Sequence, residues 1–232
     1  MFISGLQKLT LLDYPGRVAC TVFTAGCSFR CPFCHNASLV LPERLSEDVN
    51  EDTVLKYLER RRGVLDGVAV TGGEPLLHPE LPDFLRKVKA MGYPVKLDTN
   101  GSFPDRLRSV VEAGLVDRVA MDIKNAPEQY GRTVGHDGFD LRAVDESREY
   151  LMSGAVEYEF RTTAVKGLHT EESIAAAAKW IAGAREYYLQ QYKDSGDILH
   201  GNGLSAFDAE EMASLQRAAA RYVPGVSLRG VQ

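Results

Sequence analysis

Three cysteines stand at spacings of four and three in GCSFRCPFCHN (26–36): Cys27, Cys31 and Cys34. One other thiol, Cys20, completes the chain's four. Thiolates select zinc, copper(I) or iron–sulfur clusters, and two readings of this turn stand side by side. A structural zinc site is closed by four ligands, so it would have to recruit Cys20 or His35. Cys20 sits inside the apolar run RVACTVFT, where a free cysteine behaves as a small hydrophobe. His35 adjoins Cys34, a strained place for a further ligand. A 4Fe–4S cluster held by three cysteines instead leaves one iron without a protein ligand, and an open coordination position is how catalytic metal sites admit a substrate.

Five further clusters gather polar or charged residues, the first two with glycine: TGGEP (71–75), DTNG (98–101), DIK (122–124), RTT (161–163) and QQY (190–192). Each has an ordinary structural explanation. Gly72 and Gly73 suit a tight turn after a strand, and also let backbone approach a ligand closely. Asp98 and Asn100 suit a cap or an Asx turn. Lys124 can snorkel from a strand end, Arg161 can serve a structural ion pair, and Phe33 can pack as a loop aromatic. His136 and His169 lie near glycines without partner spacing and are read as surface residues.

The elements that must position these clusters alternate short β-branched runs with amphipathic stretches, the pattern of parallel βα units. Strands are predicted at 17–24, 67–71, 94–99, 117–124, 156–165 and 185–192, with VSLRGVQ as a last edge strand. Helices are predicted near 51–62, 81–91, 104–113, 140–153, 171–183 and 208–221. Periodicity alone allows a partial (β/α)6 TIM-like barrel or an open doubly wound sheet. Every cluster, however, falls at or near the C-terminal end of a predicted strand, and in parallel barrels that rim carries the working site.

Bulk properties narrow the function. The chain has 232 residues, 44% hydrophobic and 25% charged, with a net charge of −5. No apolar run approaches membrane-spanning length and the N-terminus lacks a signal peptide's pattern, so a cytoplasmic protein with reduced thiols is expected. Lysines and arginines are scattered, leaving no nucleic-acid footprint, and ERRRG (59–63) is read as the solvated end of a helix.

The three-cysteine spacing, Phe33 before the third cysteine and GGEP some forty residues on resemble the radical S-adenosylmethionine superfamily. CHN, DTNG, DIK and RTT resemble its glycyl-radical-enzyme activating enzymes. ISGLQKLTLLDYPG and VFTAGCSFRCPFCHN are most similar to the activating proteins of anaerobic ribonucleoside-triphosphate reductases. The resemblance implies one radical SAM domain over 1–232, with an N-terminal extension and a C-terminal edge strand. It implies that Cys27, Cys31 and Cys34 hold a 4Fe–4S cluster whose open iron binds the amine and carboxylate of S-adenosylmethionine. An electron then yields methionine and a 5′-deoxyadenosyl radical, which takes hydrogen from a glycine of a partner glycyl radical enzyme. Phe33, Gly72, Gly73, Glu74, Thr99, Asn100, Asp122, Lys124 and Thr163 are implied at the cofactor, with Arg161 beside them. Asp98, Thr99 and Asp122, with backbone oxygen near Ala120, are implied to hold a monovalent cation. The sixth strand departs from pyruvate formate-lyase activators: their Leu-Pro-aromatic-His segment is LQQY here, so Gln191 or Gln190 is expected at the adenine side.

One cluster is expected, because 36–50 contains no cysteine, and a flavodoxin- or ferredoxin-type protein is the implied electron donor. An incomplete barrel is expected to keep a lateral opening. Two rivals remain: a radical enzyme acting on a small molecule, similar to 7-carboxy-7-deazaguanine synthase, and a zinc-stabilised binding module.

Overall fold

The β-branched runs form seven parallel strands: β2 (Ala19–Thr24), β3 (Gly67–Gly72), β4 (Val95–Thr99), β5 (Arg118–Asp122), β6 (Glu157–Ala164), β7 (Tyr187–Gln191) and β8 (Val226–Arg229). The structure is a computed structural model that describes residues 1–41, 49–136 and 138–231. The segment 42–48, part of the cysteine-free stretch noted above, lies outside the described residues.

The strands pair in sequence order with no reversal. A doubly wound sheet would reverse its order at a switch point. Crossovers of one hand, always stepping the same way, instead keep the helices on one side and curl the sheet toward a barrel. Among the described residues β1 (Ile3–Thr10) and β8 are the two edges and do not pair with each other, so the barrel stays open along one side.

The outer layer is α2 (Glu51–Arg60), α3 (Leu81–Ala90), α4 (Pro104–Glu112), α6 (Arg142–Met152), α7 (Glu171–Trp180) and α8 (Ala209–Ala220). Their starts follow from local chemistry. Asn50 accepts the Asp52 amide at α2, and Thr170–Ser173 and Asp208–Glu211 form capping boxes at α7 and α8. Val54, Leu58, Phe84, Leu85, Leu107, Val144, Ile174 and Met212 carry the buried stripes that meet the sheet.

Among the described residues, the elements that escape the periodicity reading include β1 and the short helices α1 (Ala37–Val40) and α5 (Tyr130–Val134). β1 pairs antiparallel to β2 through two register shifts. ISGLQKLT holds a glycine and an exposed run, Gln7, Lys8 and Leu9, so it lacks the continuous buried apolar signature of the parallel strands. No helix among the described residues is long and apolar enough to cross a membrane.

Candidate active site

The six clusters meet at the C-terminal ends of the strands, around a cavity of about 260 Å³, close to the size range of small-molecule sites. Cys27, Cys31 and Cys34 line it from the loop after β2. That loop is tied down on both flanks. Arg30 donates its backbone N–H to Val134 O at 2.9 Å and its guanidinium to Cys27 O at 2.7 Å, while Leu199 N donates to Cys34 O at 3.1 Å. Burial pushes the thiols up, to about 11 for Cys27 and about 12 for Cys31, and raises Cys34 as well. A metal would bind by displacing those protons. Cys20 lies fully buried in the core, outside this cavity.

Gly72 and Gly73 are there because backbone passes through the space a side chain would need. Gly72 has φ 126°, and a Cβ on Gly73 would lie 1.8 Å from the Gly26 carbonyl oxygen. The turn clasps the start of the cysteine loop, with Gly73 N donating to Thr24 O at 2.9 Å and Glu74 N to Gly26 O at 2.8 Å. Both glycines line the cavity. Glu74 does not. It is fully buried behind the wall, accepting from Leu76 N, Thr99 Oγ1 and Asn100 N. Burial pushes its carboxyl up to about 7 against the pull of those three donors. Expected at the cofactor, it instead positions residues that face the cavity.

Asn100 completes that chain. Its side-chain amide donates to Ser28 Oγ at 3.0 Å and approaches Cys27 Sγ at 3.7 Å, and Phe29 N donates to the same sulfur at 3.4 Å. Phe33 is buried against the cavity with Lys124 Nζ 6.0 Å from its ring centre.

Below the cysteines lies a ladder of ion pairs. Lys96 Nζ meets Asp98 Oδ1 at 2.5 Å, Arg161 Nη1 meets Asp98 Oδ2 at 2.9 Å, Arg161 Nε meets Asp122 Oδ1 at 3.1 Å, and Lys124 Nζ meets Asp122 Oδ2 at 2.8 Å. Burial acts to raise the Asp122 carboxyl, but Lys124 and Arg161 outweigh it and hold it at about 2. Lys124 and Arg161 are in turn raised by these carboxylates. Lys96, missed in the sequence, had a visible signal: it shares the inward face of β4 with Asp98, two residues on.

Two further placements differ from expectation. Gln190 lines the cavity, opposite Thr163 in the β6–β7 register, whereas Gln191 points the other way and donates to Phe207 O at 2.7 Å. His169 is buried rather than superficial: Val165 N donates to its Nδ1 at 3.1 Å and its Nε2 donates to Lys124 O at 2.9 Å. Burial lowers its pKa, keeping the imidazole neutral behind the DIK strand end. His136 is exposed, as read. Asp13, not singled out in the sequence, also lines the cavity and accepts from Thr21 Oγ1 at 2.5 Å.

A family model of the Radical SAM superfamily matches residues 21–205, which span the strands and loops just described from β2 past β7. The chain belongs to the Radical SAM superfamily. A Methanocaldococcus jannaschii protein with the provisional name glycyl-radical enzyme activating enzyme is 29% identical to it, over 99% of this chain and 96% of that protein. A 7-carboxy-7-deazaguanine synthase of Methanopyrus kandleri is 28% identical, over 87% of this chain and 81% of its own. The crystal structure of a domain of a pyruvate-formate lyase-activating enzyme from Bacteroides vulgatus superposes with a TM-score of 0.58 at 19% identity, covering 71% of this chain and 99% of the domain. The fold is that of radical SAM enzymes with a partial barrel.

Radical SAM enzymes use a 4Fe–4S cluster and S-adenosylmethionine, and the cavity's donor set fits that pair. Three thiols border one space without closing on a point, and among the described residues no three His, Cys, Asp or Glu side chains form a ready cage for a single ion. A cluster needs no such point, since each cysteine takes a different iron. Of the two residues a closed zinc site would recruit, Cys20 lies in the core and His35 lines the cavity beside Cys34. The expected monovalent cation does not fit: both carboxylates are already ion-paired, and the Thr99 hydroxyl donates to Glu74 at 2.8 Å.

Proposed function

We propose that this protein is a glycyl-radical-enzyme activating enzyme whose partner is an anaerobic ribonucleoside-triphosphate reductase, and that residues 1–232 work as one radical SAM domain. The observation that carries this reading is the convergence of Cys27, Cys31 and Cys34 with Gly72 and Gly73 on one cavity at the C-terminal rim of a parallel, laterally open barrel. Cys27, Cys31 and Cys34 would hold the cluster, with the fourth iron left to S-adenosylmethionine. When bound, the pair supplies a 5′-deoxyadenosyl radical able to take hydrogen from a glycine Cα.

The chain's own residues do the rest. Gly72 and Gly73 would present backbone to the methionine end, the turn being held at the cysteine loop by Gly73 N on Thr24 O and Glu74 N on Gly26 O. Glu74 fixes Thr99 and Asn100, and Asn100 steadies Cys27. Lys124 and Arg161 keep positive charge on the wall, and Phe33, Thr163 and Gln190, which line the same cavity, would meet the nucleoside. Radical chemistry depends on such orientation and on exclusion of water. The unpaired edges β1 and β8 leave a side through which a loop of another protein can enter, whereas a small substrate calls for a pocket that buries most of its surface. A flavodoxin- or ferredoxin-type protein in the cytoplasm would supply the electron.

The test is anaerobic reconstitution with iron and sulfide, then S-adenosylmethionine and the cognate reductase. A doublet in the electron paramagnetic resonance spectrum, collapsing when the partner's glycine α-hydrogens are deuterium, supports the reading. The similarity to a 7-carboxy-7-deazaguanine synthase over 87% of this chain favours one other reading, a small-molecule radical enzyme. An active cluster that leaves several glycyl radical enzymes unmodified but turns over a small molecule would establish that alternative.

A further inference from the structure

Two of the carboxylates that line the cavity, Asp98 and Asp122, are already saturated with positive charge. Arg161 bridges them, one edge of its guanidinium 2.9 Å from Asp98 Oδ2 and another 3.1 Å from Asp122 Oδ1. Lys96 and Lys124 take the remaining oxygen of each. Each of the four carboxylate oxygens therefore holds an N–H donor, and three cations face two anions. One layer deeper, Glu159 pairs with Arg118 and Arg229 and its charge also acts on Lys96 and Arg161, leaving the oxygens of Asp98 and Asp122 fully occupied. Arg161 reaches the cavity from β6, with 13% of its side chain exposed.

We infer that Arg161 takes the place of a monovalent metal ion in the S-adenosylmethionine site, making cofactor binding independent of sodium or potassium. Adding an alkali cation between Asp98 and Asp122 would bring a further positive charge to oxygens that each already hold a cationic donor and would displace a buried guanidinium from both its partners, with the cost of stranding it unpaired. The planar fork of an arginine suits this bridging task, because it meets two carboxylates at once where a lysine meets one point. The inference rests on the S-adenosylmethionine part of the proposed function, not on the identity of the protein partner.

The experiment measures the dissociation constant of S-adenosylmethionine for the anaerobically cluster-loaded full chain in potassium, sodium and tetramethylammonium chloride at equal ionic strength. Wild type is expected to bind within about twofold across the three salts. Arg161→Gln, which vacates the bridge, is expected to bind at least tenfold more weakly in tetramethylammonium and to recover in potassium or sodium. Thallium(I) resonance should broaden in the presence of Arg161→Gln and not of wild type, a readout independent of turnover. Wild-type binding that falls tenfold without an alkali cation overturns the inference while leaving the activase reading intact. Absence of binding in every salt overturns the site reading and this inference with it. If Arg161→Gln does not fold, the wild-type salt series decides alone.

Discussion

The Glu74 carboxylate reaches from the end of β3 to the start of the loop after β4, where it accepts the backbone N–H of Asn100 at 2.7 Å. Through Asn100 this links a buried acid to the Cys27 sulfur, so a residue that never touches the cavity controls one that lines it. Glu74→Gln keeps the shape but exchanges one acceptor oxygen for a donor facing donors. A buried unpaired group costs about 1–3 kcal/mol. The variant should lose about that much stability, measured by urea unfolding, and bind S-adenosylmethionine more weakly while still taking up a cluster. Unchanged affinity would mean the wall does not need this acid.

The four cysteines should separate cleanly. Loaded wild type should carry about four irons per chain. Cys27→Ala, Cys31→Ala and Cys34→Ala should each lose them, whereas Cys20→Ala should retain them and cost about 1 kcal/mol as a small core truncation. Iron and sulfide analysis checks this, and loss of iron in Cys20→Ala would reassign the ligands.

Gly73→Ala drives a methyl group into the Gly26–Cys27 peptide, which is backbone with nothing flexible to yield. It should displace the cysteine loop, costing about 4 kcal/mol or more, and abolish cluster uptake. Gly5→Ala is the control: its Cβ would meet Phe23 at an ordinary 3.6 Å. Equal iron content in the two variants would contradict the clasp.

The two glutamines differ by the face they occupy. Gln190→Ala should weaken S-adenosylmethionine binding about tenfold, the worth of one good hydrogen bond. Gln191→Ala should leave affinity unchanged and cost about 1 kcal/mol by releasing its bond to Phe207 O. Calorimetric titration distinguishes them, and the reverse ranking would place the wrong side chain at the adenine.

Acid should unfold the protein through its interior carboxylates. Burial acts to raise Glu159, yet Arg229, Lys96 and Arg118 hold it at about 2, below its ordinary 4.5. Its contribution is therefore present above pH 4.5 and lost as pH falls toward 2, on the order of 3 kcal/mol in all. Glu159→Gln should be less stable at pH 7 and show a shallower loss of stability between pH 4.5 and 2 in denaturant titrations. An identical acid slope would remove Glu159 from the account.

The chain's local chemistry sufficed for much of this. The spacing of Cys27, Cys31 and Cys34, the glycines after β3 and the placement of every cluster near a strand end are properties of short segments. Short β-branched runs and amphipathic stretches likewise located the parallel strands and the longer helices. β1 was not legible, because an edge strand with Gly5 and polar side chains derives its stability from pairing with β2 rather than from its own pattern. Which face each strand turns inward was also decided by the closed-up sheet. Only the β6–β7 register puts Gln190 beside Thr163 and sends Gln191 outward. Asp98 and Asp122, far apart in sequence, look like free ligands until the barrel brings Arg161 between them. His169 looks superficial until its loop folds back onto Lys124. Residue type and spacing determined which chemistry the chain carries. Charge neutralisation and burial, which depend on what other strands deliver to the same point, were decided by the tertiary structure alone.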